Sequence, residues 1–148
     1  MLVILIEIAE KHYALEISHI VEIVPLVKIN TLSHLPKFLA GVINYRGNII
    51  PVVDLSYLIT GNYSKYLLST RIIILENDKE NALFGVLAEK VTETLTIKEE
   101  AYKLTNIQRL DAPFLDNILI NKDNIIQIIN FRQLLPQNFI DELAEYNE

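Results

Sequence analysis

The feature that most constrains this chain is the segment of residues 41–55, in which two apolar runs flank a short polar stretch. Residues 42–43 and 49–53 are rich in the β-branched side chains that strands prefer. Between them the sequence is Asn-Tyr-Arg-Gly-Asn, and glycine and asparagine tolerate the positive φ angles of tight hairpin turns. The segment therefore predicts two antiparallel strands with Arg46 at the apex, where its guanidinium can meet a partner's carboxylate or carbonyl group.

Composition excludes several classes of function. The chain has 148 residues, 51% apolar and 22% charged, which is typical of a soluble protein with one hydrophobic core. Because it has no cysteine, it can form no disulfide or thiolate metal site, and this is compatible with the reducing cytoplasm. A formal net charge of −6 without a lysine or arginine cluster disfavours nucleic-acid binding. The apolar run at residues 2–6 is too short to span a bilayer, so we expect no membrane insertion.

Strand signals dominate the rest of the chain. Residues 2–8 are typical of a buried strand, residues 13–17 alternate as a half-exposed strand does, and residues 18–24 predict a short helical turn or a bulge before another strand. Further strands are predicted at residues 71–75, 82–88, 91–97, 118–120 and 125–129. Short strands separated by turns favour small barrels or a sandwich, and the pattern alone does not choose between them.

Three segments predict helical structure. Residues 33–41 resemble one or two helical turns that begin at a proline and end at a glycine. Asp54 fits the N-cap of a short helix at residues 55–60 that ends at Gly61, and we favour this structural role over a catalytic one. Apolar positions at helical spacing predict a terminal amphipathic helix at about residues 136–146.

Residues 41–55 also resemble the most characteristic segment of the CheW family of bacterial chemotaxis adaptors, Gly-Val-x-Asn-x-Arg-Gly-x-x-x-Pro-Val-x-Asp-Leu, and fill each of its fixed positions. Further similarity covers most of the chain, with the family's opening motif at residues 13–25, a central motif at 84–91 and the closing strand at 126–135. The resemblance implies a mainly β fold. Two small antiparallel five-stranded β-barrels, SH3-like subdomains, would join in a single CheW-like domain over residues 1–148, with short helices and a C-terminal helix.

Four positions depart from the family pattern. Tyr45 stands where leucine is usual, Ala88 where valine is usual, and Glu89 and Asn130 where the family has aspartate. None of these changes threatens the expected fold. They leave open which signalling pathway the chain serves, whether flagellar, pilus-based or another.

The resemblance implies a non-catalytic cytoplasmic adaptor that couples the cytoplasmic tip of a chemoreceptor to the regulatory domain of a CheA-type histidine kinase. It places two groups of residues at partner-binding surfaces: Asn44, Arg46 and Gly47 at the hairpin turn, and Ile20, Glu22, Val86 and Leu87 beside a receptor groove. For Ile20, Val86 and Leu87, burial in the core is the simpler interpretation, and on sequence alone we favour it. Exposed barrel edges would also allow the chain to self-associate.

Other classes of function have less support in the sequence. It contains no glycine-rich phosphate loop, Gly-x-Ser-x-Gly or His-Glu-x-x-His motif, and its three histidines lack metal-ligand spacing, so we predict no enzyme activity, metal or cofactor. The alternative is a CheW-like module repurposed for another motility or pilus pathway or for small-ligand binding. Residues 98–117 lack strong periodicity and predict a long loop with a helical turn, whose Tyr102 and Phe114 could line a pocket or pack over a barrel end.

Overall fold

Two β-sheets form the framework of the protein. The structure is a computed structural model that describes residues 1–77, 82–98, 102–103, 114–121 and 124–134. Within these ranges one sheet has six strands and the other has five. The terminal helix predicted at about residues 136–146 lies outside the described residues.

The six-stranded sheet brings together strands from both ends of the chain. In spatial order its strands are β8 (Lys90–Thr96), β1 (Leu2–Ile8), β2 (Lys11–Glu16), β11 (Asn124–Ile129), β10 (Leu115–Asn121) and β9 (Tyr102–Lys103). Its strand pairs are antiparallel except for β2 and β11, which run parallel.

The five-stranded sheet is inserted in the chain between β2 and β8. Its strands, in spatial order, are β3 (Ile20–Pro25), β6 (Arg71–Asn77), β7 (Ala82–Ala88), β5 (Asn48–Asp54) and β4 (Leu39–Tyr45). Here β5 and β7 are parallel. Beyond β3 the chain crosses to the outer side of β4, where Asn30 and Val42 exchange two backbone hydrogen bonds of 2.8 Å.

The prediction of a mainly β fold with two sheet-based subdomains is confirmed, but the strands are not all antiparallel and one sheet has six strands. Parallel neighbours need a long crossover connection rather than a tight turn. Between β5 and β7 the crossover contains helix α1 (Leu55–Thr60) and β6, and between β2 and β11 it contains the whole five-stranded sheet. Turn signals in the sequence report local hairpins and therefore did not predict these two long-range pairs.

Three apolar cores explain why so many strands are continuously apolar. In β1, Ile4 and Ile6 pack in a core shared by both sheets, whereas Val3 and Leu5 pack in a second core confined to the six-stranded sheet. Strands β6 and β7 likewise divide their side chains between the shared core and a third core inside the five-stranded sheet. A strand buried on both faces is expected to lack polar alternation.

Predictions near the N-terminus had mixed outcomes. A 3₁₀ turn at Ile17–His19 followed by β3 confirms the predicted turn and strand. The prediction of a half-exposed strand at residues 13–17 is wrong, because Tyr13, Ala14 and Leu15 are all buried. Ala14 faces the core of the six-stranded sheet, and its small side chain stands between the polar residues two positions away, His12 and Glu16, so the sequence gives no sign of its burial.

The predicted helical turns at residues 33–41 are also wrong, because this segment has only turns before β4 begins at Leu39. Gly41 lies inside β4 at a register shift, with a φ angle of +149°. A Cβ atom there would lie 2.3 Å from the backbone oxygen of Asn30. The glycine is therefore needed for the close approach of two backbones and does not end a helix.

Candidate partner-binding site at the β4–β5 hairpin

The turn between β4 and β5 presents Arg46 at its apex, as the sequence predicts. Arg46 and Gly47 have φ angles of +49° and +84°, and Tyr45 pairs with Asn48 across the turn. Two consecutive residues with positive φ form the two-residue turn that matches the twist of antiparallel strands. The amide of Gly47 donates a 3.1 Å hydrogen bond to Oδ1 of Asn44, which fixes the turn from within.

Glu22 connects this turn to the edge strand β3. Its Oε2 accepts hydrogen bonds from the hydroxyl of Tyr45 and from Nη2 of Arg46, the latter at 3.1 Å. The Arg46 guanidinium carbon also lies 5.2 Å from the centre of the Tyr45 ring, within the range of a cation–π contact. Glu22, Tyr45 and Arg46 thus form one cluster, which we call the hairpin cluster.

The hairpin cluster extends from the interior to solvent. The Tyr45 ring is buried in the core of the five-stranded sheet, whereas the side chains of Glu22 and Arg46 are 40% and 72% exposed. The hydrogen bond to Glu22 and, to a lesser extent, burial raise the pKa of Tyr45, although the positive charge of Arg46 opposes this rise. An exposed ion pair contributes little to stability, so a partner's carboxylate could replace Glu22 on Arg46 at small cost.

Three of the predicted partner-binding residues are buried or partly buried. Ile20 packs at the margin of the shared core, Val86 lies inside that core, and Leu87 lies inside the core of the five-stranded sheet. Val86 and Leu87 have no exposed surface. The burial that we favour for them on sequence alone is confirmed, and we do not assign them partner contacts.

The sequence does not identify two residues of β3 that the structure exposes to solvent. Val21 and Ile23, on either side of Glu22 in sequence, are 45% and 37% exposed. Ile23 pairs in register with Ile73, a member of the shared core, so an apolar surface continues from this core to solvent. Four of the first five residues of β3 are apolar, so the sequence does not reveal which face of the strand meets the core.

Asp54 has the structural role that the sequence predicts. Its Oδ1 accepts a 3.2 Å hydrogen bond from the amide of Tyr57, which caps α1, and the helix ends at Gly61 with a φ angle of +80°. The buried carboxylate also accepts hydrogen bonds from the Ser64 amide at 3.0 Å and the Ser64 hydroxyl at 2.7 Å. This second contact joins Asp54 to the loop that follows α1.

The ligand-binding and membrane alternatives gain no support within the described part of the chain. Phe114 is buried in the shared core, as a packing role requires. The side chain of Tyr102 lies outside the described residues, but the backbone of Tyr102–Lys103 forms β9, so the prediction of a loop throughout residues 98–117 is wrong. Among residues that the structure describes, no cluster of three or more histidine or carboxylate side chains has metal-site geometry. None of the helices in these ranges is long and apolar enough to cross a bilayer.

Comparison with known proteins agrees with this geometry. The CheW-like domain family matches residues 2–139. The chain belongs to this family. The chemotaxis protein CheW of Helicobacter pylori is 25% identical over 138 residues, which are 89% of this chain and 79% of that protein. CheW of Thermotoga maritima is 31% identical over 101 residues, 68% of this chain and 65% of that protein.

The CheW-like fold is confirmed by a solved structure. The crystal structure of the scaffolding protein TtCheW from Thermoanaerobacter tengcongensis matches with a TM-score of 0.81 and 30% sequence identity. The match covers 93% of this chain and 88% of that one.

Three positions that depart from the CheW pattern make hydrogen bonds of their own. Tyr45 bonds to Glu22 within the hairpin cluster. Glu89 accepts a 2.7 Å hydrogen bond from the amide of Lys65, and Oδ1 of Asn130 accepts one of 3.1 Å from the amide of Arg132. Each of these three side chains is therefore used in the structure of this chain.

Proposed function

We propose that this chain is a non-catalytic chemotaxis adaptor of the cytoplasm that couples a chemoreceptor to a CheA-type histidine kinase. Membership in the CheW-like family supports this function. The observation that carries the proposal is the hairpin cluster, where an exposed arginine is held at a turn by a carboxylate that another protein could replace.

Arg46 is the residue that we assign to the kinase's regulatory domain. Its backbone is fixed by the two-residue turn, so a partner would meet a positioned guanidinium rather than a flexible one. Glu22 holds the side chain in place without burying it. Asn44 and Gly47 contribute by shaping the turn.

The receptor tip would dock along β3. Val21 and Ile23 expose apolar surface on β3, and Ile20 of the same strand packs against the shared core. An exposed apolar strip beside a core suits the apolar face of a helix, which is the form that we expect for a receptor tip. Glu22 lies between the two surfaces, so binding at one could be transmitted to the other through its two hydrogen bonds.

Calorimetric titration tests this function. The chain is titrated with the CheA regulatory domain that is encoded in the same genome. We expect micromolar binding by the wild type and a loss of about tenfold or more, roughly 1.4 kcal/mol, in Arg46→Glu. Lys11→Glu makes the same charge change at an exposed position of the six-stranded sheet, and its affinity should stay within about twofold.

Each outcome has a distinct meaning. If Arg46→Glu binds as tightly as the wild type, Arg46 does not contact the kinase. A second titration, against a receptor tip fragment, should be weakened by Val21→Ser and Ile23→Ser together. If the wild-type chain binds neither the regulatory domain nor the receptor tip, the proposed adaptor function is wrong.

A further inference from the structure

The loop between α1 and β6 exposes several large apolar side chains to solvent. Leu68 is 99% exposed, and Tyr63, Tyr66 and Leu67 are each exposed over half of their surface or close to it. Large apolar side chains that lie together on a surface usually mark a binding site, because their hydration is unfavourable. Neither the hairpin cluster nor β3 uses these residues.

The loop is held in place by hydrogen bonds to its backbone. Asp54 accepts hydrogen bonds from Ser64, and Glu89 accepts one from the amide of Lys65. The hydroxyl of Thr70 donates to the Lys65 carbonyl and accepts from the Leu67 amide, both at 2.8 Å. A loop whose backbone is fixed while its apolar side chains face solvent has already lost much of the entropy that binding would cost.

A cavity of about 420 Å³ lies beside the loop and adjoins the end of β3. The cavity is lined by Arg71 and by the apolar residues Pro25, Leu26, Tyr66, Leu67 and Leu68. Cavities of about 150 Å³ already accept a benzene ring, so this one has room for a large apolar side chain.

Arg71 is the one charged side chain among the described residues that line the cavity, although the chain is acidic as a whole, with a net charge of −6. Nη1 of Arg71 donates to the carbonyls of Leu68 at 2.7 Å and Thr70 at 2.9 Å, and among the described residues no carboxylate pairs with this guanidinium. Lys65 adds a second exposed cation to the loop. The cavity lining itself contains no carboxylate among the residues that the structure describes.

We propose that residues 66–68, together with Pro25, Leu26 and Arg71, dock an acidic amphipathic helix of a partner protein. An apolar side chain of the helix would fill the cavity, and a neighbouring carboxylate would pair with Arg71. Strand addition is disfavoured, because Pro25 ends the adjacent edge strand and has no amide hydrogen to donate. This surface is separate from the hairpin cluster, and the inference does not depend on the proposed function.

Fluorescence anisotropy with two labelled peptides tests the inference. One is a helical peptide of roughly 18 residues with leucine at positions i, i+3, i+4 and i+7 and glutamate on its flanks, and the other has lysine in place of each glutamate. We expect the wild-type chain to bind the acidic peptide at least about fivefold more tightly than the basic one. Leu67→Ser/Leu68→Ser should weaken binding about fivefold or more, and Arg71→Gln should reduce the preference for acidic charge.

Leu32→Ser is the matched control, because Leu32 is an exposed leucine outside the cavity lining, and its binding should stay within about twofold. Urea unfolding should show that the exposed-leucine variants have the same urea midpoint as the wild type. Equal binding of both peptides, or full binding by the double variant, would overturn the inference.

Two further measurements distinguish other occupants. If sedimentation shows a wild-type dimer that the double variant dissociates, the occupant is a second copy of the chain and the acidic helix is wrong. The double variant should bind the CheA regulatory domain like the wild type. If it does not, the surface belongs to the kinase interface rather than to an additional acidic helix.

Discussion

The hairpin cluster and the loop between α1 and β6 are two surfaces of the same sheet with opposite construction. In the hairpin cluster, the side chains of Glu22, Tyr45 and Arg46 bond to one another, and those of Glu22 and Arg46 remain partly exposed. In the loop, polar groups satisfy the backbone and the apolar side chains of Leu67 and Leu68 are left in solvent.

The difference shows two ways of preparing a surface for binding. A paired charge can be exchanged for a partner's charge with little loss of stability, so the hairpin cluster should affect specificity more than folding. An exposed leucine stabilises a complex only when a partner covers it, so the loop should affect binding affinity. Folding stability should then depend most on the buried groups that support each surface.

Asp54→Ala should have the largest effect on stability, and it should act on the loop rather than on the hairpin cluster. It removes the cap of α1 and leaves the buried Ser64 amide without its acceptor, so we expect a loss of about 3 kcal/mol. Urea unfolding measures this loss, with Ser64→Ala, which removes only the hydroxyl contact, as the milder control. A loss below about 1 kcal/mol would show that the loop does not rely on this carboxylate.

Tyr45→Phe should have a smaller effect, confined to the hairpin cluster. The ring stays in the core of the five-stranded sheet, but Glu22 loses one of its two hydrogen bonds. We expect a decrease in the urea midpoint less than half that of Asp54→Ala. The same substitution in a Glu22→Gln background should cost less than it does alone, and equal costs in both backgrounds would argue against coupling of the two side chains.

The smallest expected effect is a difference in stability at alkaline pH. The pKa of Tyr45 is raised in the folded chain, mainly by its hydrogen bond to Glu22. The neutral hydroxyl is thus favoured by folding, so this contribution is complete below about pH 10 and is lost as pH rises through the raised pKa. Between pH 8 and 11 the wild type should lose more stability than Tyr45→Phe.

Tyr66 does not disturb this comparison. Burial and, to a lesser extent, the charge of Asp54 raise its pKa as well, but Tyr66 is present in both proteins. Urea unfolding at several pH values gives the difference. Parallel curves for wild type and Tyr45→Phe would contradict a role for the Tyr45 hydroxyl.

Local features of both surfaces could be predicted because they depend on neighbours in sequence. The β4–β5 turn needs consecutive positive φ angles, which its Arg46-Gly47 step adopts. The helix after Asp54 needs a capping carboxylate and a terminal glycine, and both are present. In each case the residues that fix the conformation lie within a few positions of one another.

Features that depend on distant pairing could not be predicted in the same way. Gly41 was interpreted as a helix end, yet its conformation is set by the backbone of Asn30. The sequence does not show that Val21 and Ile23 are exposed, because four of the first five residues of β3 are apolar and either face could meet the core. Leu68 belongs to an apolar pair that would equally suit a core.

The sequence by itself determined most of the strands, the hairpin with Arg46 at its apex, the cap at Asp54 and the similarity to the CheW family, since each depends on residue types at short spacing. Only the tertiary structure decided the two parallel pairs, the sharing of one core between sheets and the contact of Glu22 with Tyr45 and Arg46. These features depend on how the faces of distant strands meet. Hydrophobic burial stabilises any arrangement that covers the apolar faces, so the local sequence does not specify which strands pair.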